Sequence, residues 1–308
     1  MILLCGATGR VGGALVRELL AASAPLRCLV RDPARARAQL CTQAGGPGDG
    51  TRVDGAQIDA AQIEWARGDF DDSSAVAAAL HGVERVFVMS PVSADLAAQQ
   101  ISVVNAAARA GVTRIVKLSG SSWTMQAGTF SATATGALHA QVEAAITVTG
   151  IAHTLVRPNV FMQGMLSRIV ESIRQTDSFG LALGNAHAAF IDIGDIAAVA
   201  ARALLAGQAL GPVLDITGPQ AHSGEDIARI ASALTARSIS YQPLPLEAAL
   251  ARASSETAFM QRHLRDVLTL MLAGAGANVT DTVAQICGRS ATPVADWLHT
   301  ALVAAAQP

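Results

Sequence analysis

The segment Gly6-Ala7-Thr8-Gly9-Arg10-Val11-Gly12 constrains the fold of this chain more than any other stretch. It follows an apolar run, Ile2–Cys5, and opens a segment, Val11 to Ala22, with apolar residues at helical spacing. Strand, tight turn and helix in that order begin a βαβ unit. Each glycine has its own task. Gly6 permits the sharp exit from the strand. Gly9 lets the backbone approach a pyrophosphate with no Cβ in the way. Gly12 lets the helix pack closely on the strand. Thr8, Arg10 and Val11 fill the turn and the first helical residues, where free N–H groups and the helix dipole favour an anion.

The pattern then repeats. Leu26–Val30, Ile63–Ala66, Val86–Met89, Ile115–Leu118 and Thr154–Val156 read as strands, with helical stretches near 73–80, 95–110 and 138–148 between them. Nearly unbroken apolar strands alternating with helices mean a parallel sheet covered on both faces. The predicted fold class is α/β, a Rossmann-type doubly wound parallel sheet with a smaller, mostly helical C-terminal region. Residues 1–157 are read as the nucleotide-binding core. Residues 158–308 are read mainly as a substrate-binding region, with a strand at 211–217 returning to the core sheet. Helices are expected at Ser223–Ala236, with Ser223 as N-cap, and at Leu246–Ala253, Ser255–Leu272 and Val294–Ala305. The glycine-rich stretch 41–62 reads as a surface insertion or as a flap near the adenine end of a cofactor.

Composition excludes several classes. Of 308 residues, 51% are apolar and 15% charged, so a large core is available and global disorder is excluded. A net charge of -2 gives no basic footprint for nucleic acid and no polybasic membrane anchor. No apolar run reaches spanning length. The N-terminus enters a strand with no charged region before it, which argues against a signal peptide. Four cysteines without a CxxC pair read as reduced thiols in a cytoplasmic protein. The histidines show no metal-ligand spacing, and no metal site is expected. Monomer and homodimer both remain open.

Further residues fall at strand ends, where such folds bind ligands. The residue after the second strand reads the ribose, and here it is Arg31, with Arg35 and Arg37 nearby. A guanidinium there pairs with a 2′-phosphate, so NADP(H) is the expected cofactor; the competing role is a surface pair with Asp32. Asp69 and Phe70 follow the third strand and suit the adenine, while Asp71 and Asp72 read equally as helix caps. Ser90 and Pro91 follow the fourth strand.

The segments GATGRVG, VRDP, GDFDD, VFVMSP, VKLSGSS, HAQVEAAI and LVRPNVFMQ occur in that order. With these, the chain resembles the NmrA-like atypical short-chain dehydrogenases over almost its full length. The resemblance implies a Rossmann core, NADPH, and a cleft closed by the C-terminal region. It also implies divided functions, since some members reduce dyes, quinones or imines and others sense the cofactor ratio without turnover.

Short-chain dehydrogenases generally use Tyr-x-x-x-Lys on the helix after the fifth strand, where the tyrosine protonates a carbonyl. In this chain those positions fall on Thr135 and His139, and Tyr241, the single tyrosine, lies far downstream. His139 is then the candidate proton donor or ribose ligand, with Glu143 one turn on to orient it; the alternative is an ordinary half-buried histidine. Ser119, Ser121 and Ser122 are candidate hydroxyl donors around the cleft. Asn159 is expected to contact the carboxamide or substrate, with Phe161 and Met162 as pocket walls. Asp192 and Asp195 are expected to cap a helix beginning at Ile196.

Three functions fit. The first is an NADPH-dependent reductase passing hydride to a small apolar or aromatic acceptor: a quinone, imine, enone or dye. The second is a non-catalytic redox sensor with a protein partner. The third is a non-redox isomerase or cyclase.

Overall fold

The computed structural model describes residues 1–42, 59–125, 133–253 and 256–302. The first elements are β1 (Ile2–Cys5), α1 (Arg10–Ala21), β2 (Leu26–Val30), α2 (Pro33–Thr42), β3 (Ile63–Arg67), α3 (Ser73–Ala79), β4 (Arg85–Val88), α4 (Leu96–Arg109), β5 (Arg114–Leu118), α5 (Ser122–Met125), α6 (Ala134–Val148) and β6 (Ala152–Pro158). Then follow α7 (Met162–Met165), α8 (Ser167–Thr176), β7 (Ser178–Leu181), α9 (Ile193–Leu205), β8 (Val213–Ile216), α10 (Gly224–Thr235), β9 (Ser240–Pro243), α11 (Leu246–Ala251), α12 (Ala258–Leu272), α13 (Thr282–Cys287) and α14 (Val294–Leu302). Most of the glycine-rich stretch 41–62, namely 43–58, lies outside the described residues.

Seven strands form one parallel sheet in the order β3-β2-β1-β4-β5-β6-β8. The Rossmann-type doubly wound sheet read from the sequence is therefore the fold. Strand β8 pairs with β6, placing Ile216 opposite Pro158. Val11, Leu15 and Leu19 of α1 and Ile196, Val199 and Leu204 of α9 bury one face. Val76 of α3, Val103 of α4 and Val142 of α6 bury the other. Burial pushes the Cys5 and Cys28 thiols, on neighbouring strands, up to about 12, which leaves them unreactive.

A separate core cluster lies in the C-terminal region, around Phe179, Ile227, Met271 and Trp297. It includes a two-stranded parallel sheet, β7 with β9. Helix α9 is anchored to the main sheet at its C-terminal end. The Arg85 guanidinium donates to the Leu204 carbonyl at 2.5 Å, and Arg114 donates to the carbonyls of Ala206 and Gly207. The Leu204 and Ala206 carbonyls are among those a helix end leaves unsatisfied.

Several boundaries differ from the sequence reading. Helix α6 starts at Ala134 rather than near Leu138, because Thr133 caps it through the Gly136 N–H. Helix α12 starts after the cap Thr257. Helix α9 starts at Ile193 under Asp192, three residues before the expected Ile196. Ser223 and Asp226 form a reciprocal capping box on α10, as that spacing implies. Among the described residues, no single helix is long and apolar enough to cross a membrane.

The start of α1 leaves no room for a side chain. A Cβ on Gly12 would stand 2.0 Å from the Gly6 carbonyl oxygen. Gly12→Ala is expected to lower stability by about 1–3 kcal/mol through overpacking, read as a fall in the urea midpoint. An unchanged midpoint would mean that the helix is free to retreat from the turn.

Candidate active site

The parallel strands all end on one edge, and the strand order reverses between β1 and β4. Ligands bind in the crevice at such a switch point. Gly6 lines it with φ of 77°, and the Gly9 N–H donates to the Gly6 carbonyl at 3.0 Å. Helix α1 begins after Gly9 with no side-chain cap and no acidic residue in its first turn. Its leading N–H groups, on Arg10 and Val11, are thus available to an anion. Thr8 is tied down by Gln39, whose amide donates to the Thr8 carbonyl at 3.0 Å.

Arg31 stands exposed at the end of β2, and among the described residues no ion pair joins it to Asp32. The Asp32 carboxylate instead accepts from the Arg35 N–H in the first turn of α2. Arg37 is engaged elsewhere, over the Trp65 ring at 5.9 Å. An uncapped helix start, a glycine cradle and an exposed strand-end guanidinium fit a dinucleotide with a 2′-phosphate.

Asp69 is half-buried and accepts from the Phe70 N–H at 2.7 Å, and Phe70 is half-buried against the core. Of the two possible caps, Asp72 caps α3. Ser90 accepts from Gln100 at 3.0 Å, beside an exposed Pro91.

The turn after β5 is held by ions from three elements. Glu143 on α6 accepts from Arg157 on β6 through two nitrogens, at 3.0 and 2.5 Å. Ser119 donates to the same carboxylate at 2.5 Å. Arg157 also donates to Ser122, and Ser122 donates to Asp215 on β8. Ser121 donates to the Pro158 carbonyl at 2.5 Å.

Beneath this turn lies Lys117, with no exposed surface. Its Nζ is 2.9 Å from His139 Nδ1 and donates to the Leu118 carbonyl at 3.0 Å. The sequence reading is corrected here: Glu143 does not orient His139, and Lys117 does. A buried carboxylate takes the bidentate guanidinium, a stronger partner than a neutral imidazole. Burial pushes the Lys117 amine down from 10.5 to about 7, with Glu143 opposing and Arg157 adding to the shift. Burial, Lys117 and His263 hold His139 well below 6.5, so its ring is neutral at pH 7.

Helix α12 roofs the start of α6. Thr135 shares a 2.7 Å hydrogen bond with His263 Nδ1, and the Ala134 N–H donates to Asp266 at 3.0 Å. Asn159 has fewer free groups than the sequence reading expects. Its amide donates to the Gly276 carbonyl, while its oxygen accepts from Trp123 Nε1 and the Val160 N–H. It clamps the C-terminal region to the edge of the sheet. Phe161 is half-buried at the start of α7, but Met162 is fully buried in the C-terminal core and walls no cleft. Asp195 is no cap; it accepts from Arg289 and from the Thr292 N–H. Tyr241 is remote from α6 in its bonding, donating to the carbonyls of Leu181 and Gly184.

Lys117, Arg157, Gln163 and His263 were not singled out in the sequence. The signal for Lys117 was present: a lysine inside an otherwise apolar strand needs an explanation. His263 and Gln163 had none, since their partners lie in other elements, 128 positions away for His263 and up to 153 for Gln163. Among the described residues, no group of three or more His, Cys, Asp or Glu side chains is placed to hold a metal ion.

The profile of the NmrA-like family matches residues 1–292. The chain belongs to that family. Within it, the chain is 32% identical over 301 residues to the NAD(P)H azoreductase of Xenophilus azovorans, covering 96% of each chain. It is 31% identical over 306 residues to the (4-alkanoyl-5-oxo-2,5-dihydrofuran-3-yl)methyl phosphate reductase of Streptomyces griseus, again covering 96% of each. The NmrA-like fold is also that of the Citrobacter sp. triphenylmethane reductase complexed with NADP(H). That structure superposes with a TM-score of 0.79 at 20% identity, covering 98% of this chain and 100% of the other.

The burial of Lys117 gives this NmrA-like protein a pH signature. Unfolded, the amine keeps its proton up to about 10.5; folded, only to about 7. Between those values the unfolded state holds the extra proton, so stability rises with pH. Lys117→Met removes that dependence. The stability of wild type minus variant, from urea titrations, is expected to climb between neutral pH and about 10. A flat difference would show the amine to be solvated in the folded protein.

Proposed function

We propose that this protein is an NADPH-dependent reductase that passes a hydride to a polarised π bond of a small apolar or aromatic molecule. The acceptor class is an azo, quinone, enone, imine or dye-like compound. The reading is carried by the strand edge, where an uncapped, glycine-lined helix start faces the crevice and Arg31 stands exposed beside it. The reductases that align end to end with the chain support the direction of the chemistry.

The reduced nicotinamide supplies the hydride, and the chain supplies binding and orientation. Backbone groups from Gly6 to Gly12 hold the diphosphate, and Arg31 holds the 2′-phosphate. Asp69 and Phe70 flank the adenine side. Ser90, Pro91 and Ser119 line the nicotinamide side, with Asn159 fixing the edge behind them. Ser121 and Phe161 border the acceptor, and His139 with Thr135 lies on the face of α6 turned toward the roof.

The acceptor class follows from what α6 lacks. A simple ketone needs an acid at its oxygen as hydride arrives. Tyr241 is engaged between β7 and β9 and cannot serve. A conjugated acceptor spreads the incoming charge and tolerates a weaker or later proton. The protein is proposed to act in the cytoplasm, in keeping with its free thiols Cys5, Cys28, Cys41 and Cys287.

The test is turnover of a panel of azo dyes, quinones, enones and imines with NADPH, with product masses measured. A gain of two hydrogens supports the reading. NADPH binding without turnover of any class would sink it in favour of a sensor. In calorimetry, Arg31→Ala is expected to weaken NADPH binding about ten- to a hundredfold, the value of a lost charged hydrogen bond, and to leave NADH unchanged. Equal losses for both cofactors would remove Arg31 from the 2′-phosphate.

A further inference from the structure

Thr135 and His139 occupy one face of α6, and each meets a partner from another element: Thr135 meets His263, and His139 meets Lys117. The second pair has the geometry of a proton relay. Lys117 is fully buried and His139 is 9% exposed. The charged ammonium form of Lys117 has no acceptor atom, so in that form it donates at Nδ1, and the neutral ring then carries its hydrogen on Nε2. Among the described residues, Nε2 has no partner. The Cδ2 atom bonded to it lies 2.9 Å from where a Gly120 Cβ would stand. A side chain at Gly120 would crowd this part of the ring, and Gly120 lies in the turn after β5, at the sheet edge where ligands bind.

We propose that Lys117 is a positioning residue and proton reservoir: it holds His139 in the Nε2–H tautomer and reprotonates Nδ1 as His139 gives up its Nε2 proton to the reduced acceptor. The inference rests on the reductase reading above. In the step, one atom of the acceptor's π bond takes the hydride and electron pair from the reduced nicotinamide. The N–H bond at Nε2 breaks and a bond from that hydrogen to the second acceptor atom forms. An N–H bond forms at Nδ1 as one breaks at Lys117 Nζ. The acceptor has gained two electrons and two hydrogens, and Lys117 is left a neutral amine. A proton from water at Nε2 then returns the Nδ1 hydrogen to Lys117.

The charged surroundings suit this cycle. Glu143 from α6 and Arg157 from β6 face Lys117 and largely offset each other through their own ion pair. His263 faces His139 from α12, and Asp266 faces His263. An amine held near neutrality both gives and regains a proton at pH 7.

Two variants separate the roles. Lys117→Gln keeps an N–H donor toward Nδ1 but cannot titrate. Lys117→Met keeps the bulk and loses both functions. Nitrogen-15 spectra of the histidine rings in cofactor-free protein read the tautomer. Below neutral pH, where Lys117 is charged, wild type and Lys117→Gln are expected to show His139 protonated on Nε2, and Lys117→Met a mixture of tautomers. In turnover, both variants are expected to lose about tenfold or more in kcat with little change in acceptor KM. The wild-type fall in kcat above neutral pH should vanish in Lys117→Gln. Unchanged His139 spectra in Lys117→Met, or a wild-type kcat and pH profile in Lys117→Gln, would overturn the role of Lys117 while leaving the reductase reading intact. A wild-type protein that binds NADPH and reduces nothing overturns that reading and the proton transfer together.

Discussion

A lysine with no exposed surface stands inside the parallel sheet, and the site is organised by the need to satisfy it. An unpaired buried ammonium is costly enough that partners are obligatory. The Leu118 carbonyl and His139 Nδ1 take two of its hydrogens. Glu143 supplies the opposite charge, and Arg157 neutralises Glu143 in turn. Through Ser119 and Ser122 the same ions fix both ends of the turn after β5. The floor of the site and the edge of the sheet are therefore one hydrogen-bonded unit. Such networks are rigid when every member is satisfied.

That unit changes what α6 can do. The related dehydrogenase pattern keeps its acid and its lysine on α6 itself. Here the chemistry of α6 depends on a strand beneath it and a roof above it. Helix α12 reaches α6 through Asp266 and His263, and Asn159 clamps the turn around Gly276 at the far end of that helix. A displacement of the roof would therefore alter both the surroundings of Thr135 and the burial that keeps His139 neutral.

The parts legible in the sequence are those written in local spacing. The turn from Gly6 to Gly12 is readable because its three glycines act within seven residues. The capping box of Ser223 and Asp226 is readable for the same reason. The pairing of His139 with Glu143 was the natural local guess, since four residues bring two side chains to one helix face. It failed because a residue 22 positions earlier, on a strand, holds the ring instead. The β7–β9 pair was not legible at all. Its strands are four residues each and lie about sixty residues apart, with Ser178 opposite Ser240. Periodicity over so few residues says nothing about a partner at that distance.

Arg10 shows how the two halves of the site are joined. It is the exposed side chain of the phosphate turn, and its guanidinium donates to the Gln163 carbonyl at 2.9 Å. Gln163 is buried, donates to Asp192 at 2.6 Å and accepts from the Ile193 N–H. Asp192 caps α9, whose other end is fastened to β4 and β5 by Arg85 and Arg114. A run of hydrogen bonds thus leads from the start of α1, through α7, to a helix that spans the sheet. An anion seated on the first turn of α1 sits against the side chain that begins this run. The starts of α1 and α9 are consequently linked through one guanidinium, and the position of either constrains the other.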